Sequence, residues 1–377
     1  MRNRLLIECG FYGILSQITI VQLMQALTFR GKQNIQYERA ADPTLEQDTD
    51  VVVQVRACSI CGSDLHPYHE REKGLDHGCV MGHEFTGEIV EVGRNVRSLR
   101  TGDRVISPFT VHCGSCFYCR SGLSSRCIHS QLFGWRQNGK GLHGGQADYV
   151  RVPMADSTLI RKPEGMSDAL AILLGDILTT GFYCARQADI RPEQTQVVVG
   201  CGPVGLMAIW AAHKMGASQV FAIDQIPHRL HLAQAWGATP VNFRESDPLE
   251  VIAQATNGRG ADSVLEVVGL ETAVRSAFDL LRPGGTLSAV GVCTNPVLPF
   301  SPVEAYDRNL TYRIGRCPAG SLIRDLIDWA MADAQQLEAI FSHKLPLSAG
   351  SKAYSLFDQK ADQCLKVLLT PTGQQDQ

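Results

Sequence analysis

The sequence predicts an α/β chain, with a β-rich first half ahead of a doubly wound parallel-sheet domain. Three observations predict it. From about Gln196, near-continuous apolar strands alternate with amphipathic helices, the pattern of a parallel sheet covered on both faces. Before that, from about Met24 to Gly181, short strands, glycine turns and loops dominate. The composition changes between the two near Asp168.

In chain order, "MQALTFRGKQNIQYERAADP" from Met24 begins like a strand pair. "DVVVQVRAC" and "FTGEIVEVG" are β-rich runs, and "TGDRVI" follows a turn. "SDALAILLGDILTTGFYCARQ" predicts a helix that starts at a Ser/Asp cap and stays apolar at helical spacing. "QVVVG" is a buried strand and "PVGLMAIWAAHKMGA" a helix; "QVFAID" is a strand and "PHRLHLAQAWGA" a helix. "DPLEVIAQATNG" reads as helix, "ADSVLEVVG" as strand, "ETAVRSAFDLLRPGG" as helix and "GTLSAVGV" as strand. After "NLTYRIG" the alternation breaks. A helix, "SLIRDLIDWAM", and a strand, "QCLKVLL", are expected to rejoin the first domain.

A chain of 377 residues is long enough for about two or three domains. The formal net charge of -3 leaves no basic footprint for nucleic acid and no polybasic surface for a membrane, so neither partner is expected. Thirteen cysteines cannot all pair, and their clustering reads as a cytoplasmic, metal-holding enzyme rather than a disulfide scaffold. The first 23 residues, "MRNRLLIECGFYGILSQITIVQL", place two arginines before an apolar run, the order of a secretory signal. Glu8, Gln17 and Gln22 interrupt that run, no small-x-small cleavage site follows, and the segment is too short and polar for a membrane span. It is read as a non-native or dispensable leader ahead of Met24.

"VVVGCGPVGLMA" holds Gly200-x-Gly202-x-x-Gly205, with Pro203 and Val204 inside the motif. Alone the motif is weak, and three glycines in an ordinary αβ turn is the bland alternative. Here it follows a valine strand and opens a helix, so the helix N-terminus can face a pyrophosphate with free N–H groups. Asp224 ends the next strand about 20 residues on, where a carboxylate accepts ribose hydroxyls and repels a 2′-phosphate. NAD is therefore expected over NADP, a preference that the nearby His228 and Arg229 soften.

Cys113, Cys116, Cys119 and Cys127 follow C-x2-C-x2-C-x7-C. Four thiolates in one loop suit tetrahedral zinc, and a site filled by protein ligands is structural. An iron–sulfur cluster also takes four cysteines, and free thiols are the bland alternative. A closed site does no chemistry. Cys61 in "CSICGSDLH", and His83 with Glu84 in "MGHEFTGEIVEVG", offer candidate ligands for an open one. Asp176 supplies a third, because a carboxylate among leucines and isoleucines needs a partner or a metal. Three protein ligands with one free position is the catalytic zinc arrangement.

With "ICGSDLH", "GHEFTGEIVEVG", the four-cysteine loop, "GCGPVG" and Asp224 in this order, the chain resembles the zinc-dependent medium-chain dehydrogenase/reductases, the alcohol dehydrogenase superfamily, from Met24 to its C-terminus. The resemblance implies a GroES-like catalytic domain over residues 24–180, completed by 319–377, and a Rossmann domain over 181–318. It places the catalytic zinc on Cys61, His83 and Asp176, and the structural zinc on the four-cysteine loop, two ions per chain. Many relatives have cysteine or glutamate at the third ligand, and aspartate resembles the subgroup of formaldehyde and secondary-alcohol dehydrogenases. By the same resemblance, Asp64 orients the histidine ligand, and Glu84 lies near the metal and is able to ligate it transiently. Ser63 stands beside the substrate oxygen, and His66 relays the proton near the nicotinamide ribose. Cys58 and Cys79 read as packing thiols, and a surface role is the alternative for His66.

The implied reaction is hydride transfer from a primary, secondary or polyhydric alcohol to NAD, giving aldehyde or ketone. Formaldehyde dehydrogenase or dismutase chemistry and amino-alcohol oxidation, as in threonine dehydrogenase, are enzymatic alternatives; a non-catalytic nucleotide-binding relative is the other class. The resemblance implies a small alcohol or aldehyde substrate and a homodimer or homotetramer.

Overall fold

In the computed structural model, residues 22–371 are described, so the leader lies almost wholly outside them. Strands β1 (Leu23–Phe29) and β2 (Ile35–Ala41) form an antiparallel pair. They are followed by β3 (Val51–Ser59), β4 (Glu84–Val92) and β5 (Arg104–Ile106), then a small hairpin, β6 (Trp135–Gln137) with β7 (Lys140–Leu142), and β8 (Tyr149–Val152) and β9 (Ile160–Arg161). The second half supplies β10 (Thr195–Val199), β11 (Gln219–Asp224), β12 (Thr239–Asn242), β13 (Ala261–Glu266), β14 (Leu281–Ala289) and β15 (Thr311–Ile314), and the chain ends with β16 (Phe341–Pro346) and β17 (Lys366–Thr370).

These strands make two large sheets. Strands β10 to β15 form a parallel sheet in the order β12-β11-β10-β13-β14-β15, with the chain reversing direction of travel at β10. That order is the doubly wound arrangement, in which ligands bind beyond the carboxyl ends of the strands at the reversal. The other sheet runs β16-β17-β3-β4-β5-β9, with β8 also pairing with β3. The last two strands thus return to the sheet of the first half.

Burial explains the layering. Val197 and Val198 of β10 and Val264 and Leu265 of β13 are fully buried, as strands covered on both faces must be. One core runs from Ala57 and Ile106 of the first sheet, through the helices Asp168–Gly175 and Ile177–Gln187, to Val198 and Leu265 of the parallel sheet. A second fills the first-half sheet around Val53, Phe85 and Tyr354. A third covers the opposite face of the parallel sheet around Phe278.

Two elements depart from the sequence reading. The helix expected over "SDALAILLGDILTTGFYCARQ" is two helices, bent by 43° at Asp176, whose backbone is non-helical (φ -144°, ψ -81°). Gly175 is pressed against the first sheet, where a Cβ would come 2.3 Å from the Ser107 carbonyl oxygen. The helix expected to reach "LLRPGG" stops at Asp279, and Leu281 already pairs with Ala261. Pro283 explains the stop, since it lacks an N–H and disfavours helical backbone at the residue before it. Among the described residues, no single helix is long and apolar enough to cross a membrane.

Candidate active site and metal centres

Antiparallel pairing of β3 with β4 sets Ser59 opposite Glu84. The residues just beyond β3, Cys61 to Asp64, therefore meet His83, which immediately precedes β4. The helix break brings in the third group. Asp176 Oδ2 lies 3.5 Å from Cys61 Sγ and 3.3 Å from His83 Nε2. All three residues are buried, and one donor atom from each lies within 4.8 Å of the others. Thr180 Oγ1 donates to Asp176 Oδ1 at 3.2 Å and holds the carboxylate's orientation.

Ser63 and Asp64 complete this cluster. Ser63 Oγ is 3.2 Å from both Cys61 Sγ and His83 Nε2. Asp64 Oδ1 lies 3.3 Å from His83 Nδ1, and its other oxygen accepts the Cys61 backbone N–H at 2.9 Å. Glu84 is not among the three converging donors. Both its oxygens accept from Lys366 Nζ, and one also accepts from Ser59 Oγ. His66 sits on the short helix Leu65–Tyr68, with a buried Nδ1 that has no protein partner. Burial lowers its pKa, and the charge of Arg71 lowers it further.

The donor set fits a divalent ion. A thiol, an imidazole and a carboxylate converge, and sulfur, nitrogen and oxygen in that proportion suit zinc. Burial, then the charges of Asp176 and Glu84, push the Cys61 thiol up. Burial opposes the imidazolium of His83, yet the charge of Asp64 and hydrogen bonds to Asp176 and Asp64 outweigh it and raise the group well above its ordinary value. A dication bound here would favour the thiolate and the neutral imidazole, the forms that ligate a metal.

The four-cysteine loop gathers as well. Cys113, Cys116, Cys119 and Cys127 offer sulfurs within 4.8 Å of one another. Backbone N–H groups of Cys116 and Cys113 donate to Cys113 Sγ at 3.4 Å and Cys127 Sγ at 3.2 Å, hydrogen bonds that favour thiolates. All twelve cysteines among the described residues are free of disulfides. Cys58 and Cys79 are buried thiols that donate to the carbonyls of Leu369 and Val80.

The glycine motif forms the turn from β10 into the helix Pro203–Lys214, with Gly202 as its N-cap and no side chain capping it. A Cβ on Gly205 would meet the Gly200 carbonyl oxygen at 1.9 Å, so only glycine lets the helix start this close to the strand. Pro203 and Val204 are half-buried in the first turn. Asp224, at the end of β11, accepts N–H bonds from Cys201, Gln225 and Ile226 at 2.7–3.0 Å. Arg229 Nη1 would stand 3.6 Å from a Cβ on Gly202, and its buried Nε has no protein partner. Uncapped N–H groups, a carboxylate at the next strand end and an unpartnered guanidinium nitrogen fit a dinucleotide.

Residues 47–164 match the family model described as the Alcohol dehydrogenase GroES-like domain, and residues 203–330 match the Zinc-binding dehydrogenase model. The chain is 43% identical to Zinc-type alcohol dehydrogenase B of Aspergillus flavus, over 89% of this chain and 79% of that protein. The chain belongs to the zinc-dependent medium-chain dehydrogenase/reductase family. Another relative within this family, the medium chain reductase/dehydrogenase ucsI of an Acremonium species, is 46% identical over 75% of this chain and 98% of its own. The solved structure of alcohol dehydrogenase TADH from Thermus sp. ATN1 superposes with a TM-score of 0.86 at 38% identity, covering 92% of this chain and 100% of that one. The family's GroES-like and Rossmann-like pair of domains is the architecture described above.

The sequence reading missed the polar shell beneath the site. Lys366 carried a signal, a lysine inside the apolar run "CLKVLL". Gln146 carried none, yet it donates to the Ser59 carbonyl at 3.0 Å and to Asp64 at 3.4 Å, and accepts from Tyr354 at 2.9 Å.

Proposed function

We propose that this chain oxidises a small-molecule alcohol to an aldehyde or ketone with NAD, using a zinc ion held by Cys61, His83 and Asp176. The observation that carries the reading is the meeting of these three buried donors with Ser63 Oγ 3.2 Å from two of them. When bound, the zinc ion supplies Lewis acidity that lowers an alcohol's pKa, and the dinucleotide supplies the hydride acceptor.

The chain's own groups do the rest. Asp64 fixes the His83 ring through Nδ1 and leaves Nε2 as the ligand. Ser63 Oγ accepts the alcohol proton and passes its own proton on, and neutral His66 is the final base. The uncapped helix start at Gly202 and Pro203 binds the pyrophosphate, and Asp224 takes the ribose hydroxyls. The four-cysteine loop holds a second, structural zinc.

The test is metal analysis together with a screen for NADH formation over primary, secondary and polyhydric alcohols, formaldehyde and threonine, with and without a chelator. Two zinc ions per chain and chelator-sensitive alcohol oxidation are expected. One ion or none, or activity untouched after the second ion is removed, overturns the reading. A clear preference for NADP overturns the assignment to Asp224 alone.

A further inference from the structure

Two arginines that the proposed reaction does not use stand beside the converging donors. Arg316 lies in the segment that joins β15 to the helix Ala319–Ala332, and Arg126 ends the short helix Ser124–Arg126 of the four-cysteine loop. Ser125 Oγ donates to the Arg316 carbonyl at 3.1 Å, which sets the two arginines close together. The same segment packs on the helix that follows Asp176. A Cβ on Gly315 would come 3.5 Å from Tyr183 Oη, and the buried Cys317 thiol lies against the side chains of Thr179 and Thr180. Thr180 is the residue that holds the Asp176 carboxylate. Arg316 therefore stands at the edge of the donor cluster.

Both arginines are exposed, and neither guanidinium has a hydrogen bond or ion pair among the described residues. Partial burial, then the charge of Arg126, disfavours the Arg316 cation, whereas the charges of Glu72 and Asp176 favour it. On the zinc reading Asp176 is committed to the metal. Glu72, in the loop after the helix that carries His66, makes no ion pair with either arginine. Two neighbouring cations with no anion of their own attract an anionic ligand, and the guanidinium fork suits a carboxylate or a phosphate.

Building on the alcohol-oxidation reading above, we infer that Arg316 and Arg126 bind an anionic group on the substrate, so that the preferred alcohols carry a carboxylate or a phosphate at the end remote from the hydroxyl. The hydroxyl lies at the donor cluster and the anion at the guanidiniums, where it takes no part in hydride transfer. A carboxylate on the carbinol carbon itself would lie at the metal ligands and fall short of the arginines.

The experiment uses the full chain with both zinc ions. It compares kcat/KM with NAD for ω-hydroxy acids of three to six carbons against the matching ω-hydroxy amides, and for ω-hydroxyalkyl phosphates against the diols. The wild type is expected to favour the anionic member by about 10–100-fold, the span for hydrogen bonds to a charged group, and the preference should shrink as salt is raised. Arg316→Met is expected to bring that ratio close to one, Arg316→Lys to keep part of it, and Arg126→Met to lower it. Glu72→Gln is expected to keep the preference. A preference confined to carboxylates or to phosphates names the source of the anion and supports the inference. A wild-type ratio near one, or one in favour of the neutral substrates, overturns it. So does an equal loss on acid and amide in Arg316→Met, which means a role in the fold or in holding the cofactor. A Glu72→Gln variant that loses the preference as Arg316→Met does means that the arginine serves a contact with Glu72, and that overturns it too. Oxidation of none of these substrates and of none of the plain alcohols screened above sinks the alcohol-oxidation reading itself, a result distinct from all of these.

Discussion

Asp64 stands 3.3 Å from His83 Nδ1 with one carboxylate oxygen and accepts the backbone N–H of Cys61 with the other. A single buried acid thus orients two of the three proposed ligands. Asp64→Ala is expected to lower affinity for the second zinc by about 10–100-fold while leaving the four-cysteine zinc in place. Competition with a graded series of chelators measures it; unchanged affinity would contradict the orienting role.

Ser63→Ala removes the hydroxyl that lies 3.2 Å from both Cys61 Sγ and His83 Nε2. Turnover is expected to fall by about 10²–10⁴-fold, the span for a proton-transfer group, with two zinc ions retained. Steady-state kinetics on metal-replete protein provide the check, and an unchanged kcat rules out the relay through Ser63.

The pH profile should report His66. Burial, then Arg71, lowers the imidazole's pKa from its ordinary 6.5, so it stays neutral and able to accept a proton to lower pH than a free histidine. Alcohol oxidation should therefore hold as pH falls through 6.5 and be lost only below it. The acid limb of kcat/KM against pH locates the group. A limb above 6.5 that disappears in His66→Gln would contradict the lowered value.

Asp224 accepts three backbone N–H bonds and closes the turn after β11 as well as facing the proposed ribose site. Asp224→Asn keeps the shape and removes the charge. The ratio of kcat/KM for NADP to that for NAD is expected to rise by at least about 10-fold, as loss of a charge repulsion of some 1.4 kcal/mol would give. No change in that ratio would separate the turn's structural role from cofactor choice.

In the four-cysteine loop, Phe117 is 70% exposed and Ile128 is 68% exposed, so little apolar burial holds the segment. Cys116→Ser is expected to leave one zinc per chain and to make residues 113–127 the first site of limited proteolysis. Metal analysis and mapping of the first cut check both parts.

The parallel sheet was legible because its central strands, such as "QVVVG" and "QVFAID", are largely apolar and alternate with helices, a local pattern that needs no partner to be read; its edge strands Thr239–Asn242 and Thr311–Ile314 lack that signal. The glycine motif was equally plain, since Gly205 answers a local steric demand against Gly200. The break at Asp176 was not legible. Gly175 is a weak point in the run, but the apolar residues keep helical spacing on both sides of it, and an isolated glycine inside a helical pattern does not by itself mark where the chain leaves helical backbone. Lys366 and Glu84 lie 282 residues apart, and no periodicity links a lysine in the last strand to an acid in the fourth.

By itself the sequence determined the alternation of strands and helices in the second half and which residue types are available to hold metal and dinucleotide, because strand period, helix period and ligand chemistry are properties of short segments. Tertiary structure decided where those residues meet. Pairing of β3 with β4 joins Cys61 to His83, the bent helix pair delivers Asp176, and the returning β17 gives Glu84 its cation. The physical reason is that buried charges are settled by whatever the packed chain places beside them, and those neighbours come from remote parts of the sequence.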